Sequence, residues 1–201
     1  TYFGGPIGSF IGSTIGKFAD QLFSGGAGTP HYGAMAEYSA ATGVQTSQTH
    51  GAFGMGFGGV DASAAVSDLV SGLSTSIVKI LDSTAASFGL AGGYSAATGF
   101  ADDSSKDGAW GGLLIKQMEN VLVNWNDSRS SKWAPKVFAD GEAGQKEYLA
   151  ALAKDVTGVL KEMDLPGWAQ DTLTALGETP ALESLAAAID QINATKVALD
   201  M

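Results

Sequence analysis

The 201-residue chain contains no cysteine and only two histidines, His31 and His50. Without cysteine there is neither a disulfide framework nor thiolate chemistry. A zinc site usually takes three or four ligands at short spacings, and the two histidines stand far apart in a glycine-rich segment. We therefore expect two loop histidines, with no metal site and no general base.

Basic residues are also scarce, since 11 Lys and Arg face 21 Asp and Glu, for a net charge of -10. No Lys/Arg patch stands out, which argues against sequence-specific binding of nucleic acid. Uninterrupted apolar runs of the ~18–20 residues that a membrane-spanning helix needs are missing. Residues 3–23 come closest, but Lys17, Asp20 and Gln21 interrupt them. The absence of a basic start before an apolar run argues against a signal peptide.

What the chain does contain is unevenly distributed. Residues 1–59 hold more than half of the 28 glycines and only three charged residues, whereas residues 102–201 hold most of the acids. We predict three parts: a Gly-rich helix and extended segment at 1–59 for oligomer or membrane contact, an amphipathic helix at 60–88, and a small α+β domain at 89–201. Because Thr1 stands where an initiator methionine would be, we interpret the chain as a piece of a longer protein.

A four-residue repeat organises the N-terminal part. On a helix, residues four apart lie on nearly one face, so the repeat would form a smooth glycine groove beside an isoleucine ridge. Each interior glycine costs roughly 0.5–1 kcal/mol relative to alanine, which favours a groove used for close helix packing in an oligomer or in lipid. A flexible linker that has this spacing by chance is the alternative. The residues are Gly4, Gly8, Gly12, Gly16, Ile7, Ile11 and Ile15.

Periodicity predicts one helix before and one helix after the Gly-rich residues 24–59. A helix over 6–23 starts at Pro6 and ends in the Gly-rich run 24–30. Within 31–59, the alternation of large and small residues at 53–58 is typical of a strand or an extended packing segment. A second helix, capped by Asp61 or Ser63, runs to Ser87 with an apolar stripe at three- and four-residue steps. The stripe consists of Val66, Leu69, Val70, Leu73, Ile77, Ile80, Leu81 and Ala85.

The period then changes to two, which predicts a β-meander over 89–126. The first strand runs from Tyr94 to Ala101 and ends in the polar turn cluster 102–108, where Asp107-Gly108 is typical of a hairpin. The second strand, 110–117, turns at 118–120 into a third. A helix over 112–124 is the alternative, and Gly111-Gly112 disfavours it.

The C-terminal part reads as a helical unit over 137–199. After a loop at 127–135, a helix covers 141–163 and a shorter one runs from 166 to 176, capped by Gly177. Thr179-Pro180 is a cap and first-turn pair for a last helix. The predicted buried side of that helix carries Leu182, Leu185, Ala186, Ile189 and Ile192. The predicted fold class is therefore α+β, mainly helical.

No residue pattern indicates catalysis or a cofactor. Asp102 and Asp103 could form an acid pair, or bind Ca²⁺ together with Asp107, but the calcium-loop pattern is absent and a polar hairpin turn fits better. No phosphate-binding Gly-x-x-x-x-Gly-Lys occurs, and Gly54-x-Gly56 lacks a strand–helix context. We expect no enzyme activity, no cofactor and no metal, and we expect core or interface positions for Trp110, Trp125, Trp133 and Trp168.

Several runs in the C-terminal half resemble the C-terminal regions of tail tape measure proteins from long-tailed, siphovirus-like bacteriophages. They lie between Tyr94 and Gln191, a stretch that covers roughly half of the chain. The runs are Ala97 to Gly111 (ATGFADDSSKDGAWG), Asn124 to Trp133 (NWNDSRSSKW), Val137 to Gly141 (VFADG), Leu165 to Ala169 (LPGWA) and Ala181 to Leu185 (ALESL).

The resemblance implies a structural virion protein, made in the host cytoplasm, that sets tail length and occupies the tail tube. Its terminal part would lie at the tail tip against hub, baseplate and tail tube proteins. On infection such proteins leave the tail, enter the host envelope and aid genome delivery. A chain of 201 residues cannot span a tail, so it would be only the terminal piece.

Two further readings stay open beside this one. The Gly4–Gly16 zipper predicts self-association, which we take as a homotrimer, and the same zipper could form a pore in a host membrane on ejection. A cell-wall hydrolase with an unrecognised site is the remaining alternative, and no motif in the sequence supports it.

Overall fold

The structure is a computed structural model that describes residues 31–47, 61–62, 64–103, 109–125, 136–139 and 141–201. Its centre is a mixed sheet rather than a helix bundle. The strands are β1 (His31–Ser39), β2 (Gly43–Ser47), β3 (Asp61–Ala62), β4 (Tyr94–Asp103), β5 (Ala109–Gln117), β6 (Asn120–Asn124) and β7 (Lys136–Phe138). The helices are α1 (Ala64–Ser87), α2 (Gly141–Lys161), α3 (Gly167–Thr174) and α4 (Leu182–Leu199).

The sheet runs in the order β2-β1-β4-β5-β6 with antiparallel neighbours. Two short strands lie off this path: β3 pairs parallel to β1, and β7 pairs antiparallel to β5. The α+β class is confirmed, but the prediction of a mainly helical fold is wrong. The predicted meander of β4, β5 and β6 is the C-terminal half of a larger sheet that β1 and β2 extend.

The β1–β2 hairpin was missed because its residues are small and weakly patterned. β1 reads HYGAMAEYS, and β-branched residues, the usual indicators of strands, are absent from it. Pairing with β4 over its whole length, from His31 opposite Asp103 to Ser39 opposite Ser95, holds it in place. The hairpin turns at Gly43, whose φ of 69° suits glycine.

Helix α1 confirms the prediction from periodicity. The predicted stripe is fully buried: Val66, Leu69, Val70, Leu73, Ile77, Ile80, Leu81 and Ala85. The helix packs across β1 and β4. One proposed cap is wrong, because Asp61 lies in β3, where it pairs with Tyr32 of β1, and does not start the helix.

The other boundaries shift by small amounts. β4 continues through Asp102 and Asp103, so these residues belong to a strand and not to the predicted turn. The last helix starts after Ala181, which is its N-cap, and not at Thr179-Pro180. The segment before α2 includes the strand β7, where a helical unit was predicted from residue 137.

One large core lies between the helices and one face of the sheet. It includes Ala34 and Ala36 of β1, Ala96 and Phe100 of β4, and the buried sides of all four helices. Predicted positions on α4 are confirmed as buried: Leu182, Leu185, Ala186, Ile189 and Ile192. Residues from β1, α1, the meander and the C-terminal helices therefore share this core.

Candidate functional site

The residues that the sequence singled out for helix packing, Gly4 to Gly16 with Ile7, Ile11 and Ile15, lie outside the described residues. His50, the segment 53–58 and Trp133 lie outside them as well. Within the part of the chain that the structure describes, no group of three or more His, Asp or Glu side chains could hold a metal ion.

Asp102 is the clearest departure from the expected polar turn. Its side chain is fully buried at the end of β4, and its Oδ2 accepts a hydrogen bond of 3.2 Å from the backbone N–H of Gly141. Gly141 is the first residue of α2 and has a φ of 66°, which favours glycine. A carboxylate at a helix N-terminus is stabilised by the unpaired N–H groups and the helix dipole. Asp102 therefore fastens α2 to the sheet.

Two polar side chains accompany Asp102 in the same region. Burial, and next the charge of Asp102, raise the pKa of Tyr32 to about 12, while a hydrogen bond from Gln145 acts in the opposite direction. A phenol with a raised pKa is a poorer base and nucleophile at neutral pH, not a better one. The raised pKa keeps the Tyr32 phenol protonated at neutral pH, and the cluster joins β1, β4 and α2.

An aromatic cluster continues from this point along β5. Tyr148 of α2 lies between Phe100 (ring centroids 5.1 Å apart), Phe138 (5.7 Å) and Trp125 (6.0 Å). A Cβ atom on Gly111 would lie 2.5 Å from the Tyr148 ring, so glycine is needed for α2 to approach the strand this closely. The expectation that Trp125 is a core residue is confirmed by its 8% exposure.

The Trp125 indole N–H at the edge of this cluster is paired. The Trp125 indole N–H donates to Asp155, whose carboxylate also lies 3.4 Å from the Lys136 ammonium. The same ammonium stands 4.1 Å from the centroid of the Trp125 ring, within range of a cation–π interaction. Of the other tryptophans, Trp168 packs against Phe88, with ring centroids 5.9 Å apart.

Among the described residues, three exposed apolar side chains lie on β6 or in the turn that precedes it. Met118 is 69% exposed, Val121 53% and Leu122 37%. We call these three residues the β6 surface. β6 is the last strand on the main path of the sheet, and four of its five residues are exposed. A strand at the end of the described sheet with exposed apolar side chains is typical of a protein-binding site.

A groove adjoins the β6 surface. It has a volume of about 240 Å³ and lies between the α1–β4 connection and the end of α2. Leu90, Leu122 and Met163 supply apolar lining, and Glu162 and Asp164 supply negative charge. The arrangement fits a partner segment that adds a strand to β6 and places an apolar or basic side chain in the groove. The consecutive apolar residues at 121–122, beside the turn at 118–119, were the available sequence indication.

Among the described helices, α1 is the one whose length and composition would allow it to cross a membrane, with a mean hydropathy of 1.4 over its best window. Its apolar side faces the sheet, and 61% of that window is buried inside the protein. In this structure α1 serves as a core helix.

No protein-family model matches the chain, and neither the curated proteins nor the solved structures contain a significant match.

Proposed function

We propose that the chain is the terminal part of a tail tape measure protein of a long-tailed bacteriophage. In this role it is a structural virion component without catalytic activity, which lies in the tail tube and tail tip, sets tail length and aids genome delivery on infection. Its partners are hub, baseplate and tail tube proteins and other copies of itself.

One observation carries the proposal: three separate runs that resemble tape measure proteins contribute residues that touch one another. Asp102, from the first run, is bonded to Gly141, from the third. Trp125, from the second, packs against Phe138, again from the third, with ring centroids 6.0 Å apart. The three runs therefore meet in one part of the fold, as expected if the resemblance reflects a shared fold.

The β6 surface supports the docking part of the proposal. A structural component must hold neighbouring proteins, and an exposed edge strand with apolar side chains provides hydrogen-bonding groups and contact area for that purpose. We assign the tail-tip contact to this edge. The opposite edge, β2, offers a matched control because it carries one exposed apolar residue, Val44, at 46%.

The experiment has two parts. Mass spectrometry of purified particles, with a label on the chain located by electron microscopy, should find the protein in a few copies at the tail tip. Val121→Lys should then reduce the yield of complete tails by tenfold or more, about 1.4 kcal/mol of lost association, while Val44→Lys should leave it close to the parent level. Absence of the chain from purified particles, or equal effects of the two substitutions, would contradict the proposal.

A further inference from the structure

The sheet has apolar residues on both faces. Side chains alternate along a strand, so Ala97 and Ala101 point away from the face that Ala96 and Phe100 present to α1. The residues on this second face form their own buried cluster, with Met35 and Ala97 2% exposed, Ala101 0% and Leu114 5%. Trp110 packs against them. We call this set the second face.

No described helix belongs to that cluster. Every described helical residue that belongs to a buried apolar cluster is part of the first core, on the other side of the sheet. An apolar sheet face requires a covering layer, because leaving it in water would forfeit about 25 cal/mol for each Å² of apolar surface. The part of the chain that the structure describes supplies that layer on one side only.

The shape of the second face indicates what can cover it. Glycine and alanine follow one another across the strands, with Gly33 opposite Ala101 and Gly99 opposite Gly112. Small residues make this surface flat and allow a backbone to approach closely. At the end of this face away from Gly33, the side chains of Glu37 and Lys116 lie on the same side of the sheet as Met35 and Ala97. Burial raises the pKa of the Glu37 carboxyl. The face is therefore an apolar strip with a charged end.

We propose that the helix predicted over residues 6–23 of the same chain covers the second face through Ile7, Ile11 and Ile15. A helix of this size is about 27 Å long, and the 10-residue strand β4 extends over about 33 Å, so the two match. Residues 24–30 join the helix directly to His31, the first residue of β1, which also carries Met35 of the face.

The proposal also assigns separate roles to the two sides of the repeat. Consecutive helix positions are turned by about 100°, so the groove of Gly8 and Gly12 faces sideways when the ridge of Ile7 and Ile11 faces the sheet. With the ridge on the sheet, the groove remains open to other copies of the chain. Covering of the face and self-association are therefore compatible, and the covering does not depend on the phage assignment.

Other occupants are less well suited. The segment 48–60 leaves β2 at Ser47, opposite Met35, and returns at Asp61, opposite Tyr32. Both of its ends are thus held at one edge of β1, and its apolar residues alternate with glycine instead of forming a helical stripe. A second copy of the chain is the remaining possibility.

Because the chain has no cysteine, a single introduced thiol reports on one position. Ala97→Cys places a thiol on the second face, and Ala96→Cys places one on the face covered by α1. Both thiols should react slowly with a maleimide in the full chain. Replacing Ile7, Ile11 and Ile15 by Asp should accelerate labelling at position 97 by about tenfold or more through local opening, and should leave position 96 unchanged.

The same labelling identifies the occupant. A thiol at position 97 that reacts rapidly in the otherwise unchanged chain would show that nothing covers the face, which overturns the proposal. Acceleration on dilution would indicate a second copy, and acceleration caused only by Phe53→Asp with Phe57→Asp would indicate the segment 48–60. Either result also overturns it. If the Asp substitutions also accelerate labelling at position 96, the experiment is repeated with Ile7, Ile11 and Ile15 replaced by Ala. Slow labelling at position 97 in that Ala variant would contradict the proposal.

A crosslink gives an independent reading that does not require removing the isoleucines. Oxidation of Ala97→Cys paired in turn with a cysteine at position 7, 11 or 15 should give a monomeric, reducible species for at least one pair. Pairing Ala97→Cys with Ser13→Cys, on the opposite side of the helix from the isoleucines, should not. Dimers only, or equal crosslinking of all pairs, would overturn the proposal.

Discussion

Two glycines of α2 occupy opposite environments within one helix. A Cβ atom on Gly144 would lie 1.7 Å from the backbone oxygen of Ala139, whereas a Cβ on Gly158 would meet nothing within 4 Å. The first glycine lets the chain turn tightly into the helix beside β7. The second lies on the exposed side, where glycine only adds backbone entropy to the unfolded state.

The two positions predict opposite effects of the same substitution. Gly144→Ala should lower the free energy of unfolding by about 1–3 kcal/mol, because backbone atoms must move to make room. Gly158→Ala should raise it by about 0.5–1 kcal/mol through better helix propensity. Urea unfolding followed by circular dichroism measures both. A neutral Gly144→Ala would show that the turn at Ala139 adapts without cost.

Buried tyrosines predict a loss of stability in alkaline solution. Burial raises the pKa of Tyr94 and Tyr148, and burial together with Asp102 raises that of Tyr32 to about 12. The unfolded chain releases these protons near pH 10. The folded state therefore binds more protons above pH 10, and the associated stabilisation is complete below that pH and is lost as the pH rises toward 12.

Tyr32→Phe isolates one part of this effect. The free energy of unfolding of the variant should fall less steeply as the pH rises from 10 to 12, since the variant has one phenol fewer to ionise on unfolding. Urea unfolding at several pH values, with phenolate absorbance recorded in parallel, tests this. Identical pH profiles for the variant and the parent would mean that the Tyr32 phenol is no harder to ionise in the folded state.

At the scale of the elements, a pair of buried hydroxyls joins α1 to the sheet. Ser74 Oγ lies 2.8 Å from the carbonyl oxygen of Ala36, and Thr98 Oγ1 lies 2.8 Å from that of Val70. The two hydroxyl oxygens are themselves 2.8 Å apart. Each hydroxyl has one proton, so two protons serve three contacts and the pair acts as one unit. It sets the position of α1 along β1 and β4.

This network predicts non-additive substitutions. Ser74→Ala and Thr98→Val should each cost about 1–2 kcal/mol, because each leaves a buried acceptor short of a donor. The double variant should lose less than the sum of the two single losses, since both partners are then absent. Thermal and urea unfolding of the four proteins forms the cycle. Strict additivity would show that the hydroxyls act independently.

At the scale of the whole molecule, the self-association predicted from the glycine groove can be tested in solution. Gly8→Leu with Gly12→Leu should prevent close helix approach and convert the predicted trimer to monomers, which light scattering measures. Ser9→Leu with Ser13→Leu adds the same bulk off the groove and serves as the control. A parent chain that is monomeric at all concentrations would contradict the prediction. Dye release from liposomes that the groove substitutions abolish would instead support the membrane reading.

Strong periodicity explains what sequence reasoning located correctly. The stripe of α1 and the alternation of Leu113 and Ile115 in β5 record burial on one side of an element, and this pattern persists whatever the element packs against. The weakly patterned β1 and the three-residue β7 were missed, because their conformation depends on pairing with β4 and β5. The β6 surface was missed for a similar reason. Exposure of Val121 and Leu122 depends on β6 being the last strand of the path.

The sequence by itself determined the local conformation of α1 to α4 and of the meander, because each contains its own hydrophobic period, and it determined the lack of cysteine chemistry. Only the tertiary structure decided where the polar groups stand. Asp102 and Asp103 belong to a dense acidic turn pattern, yet the pairing of β4 with β1 and β5 keeps both in a strand and buries Asp102 against the start of α2. Contacts between residues distant in sequence outweigh local turn propensity there.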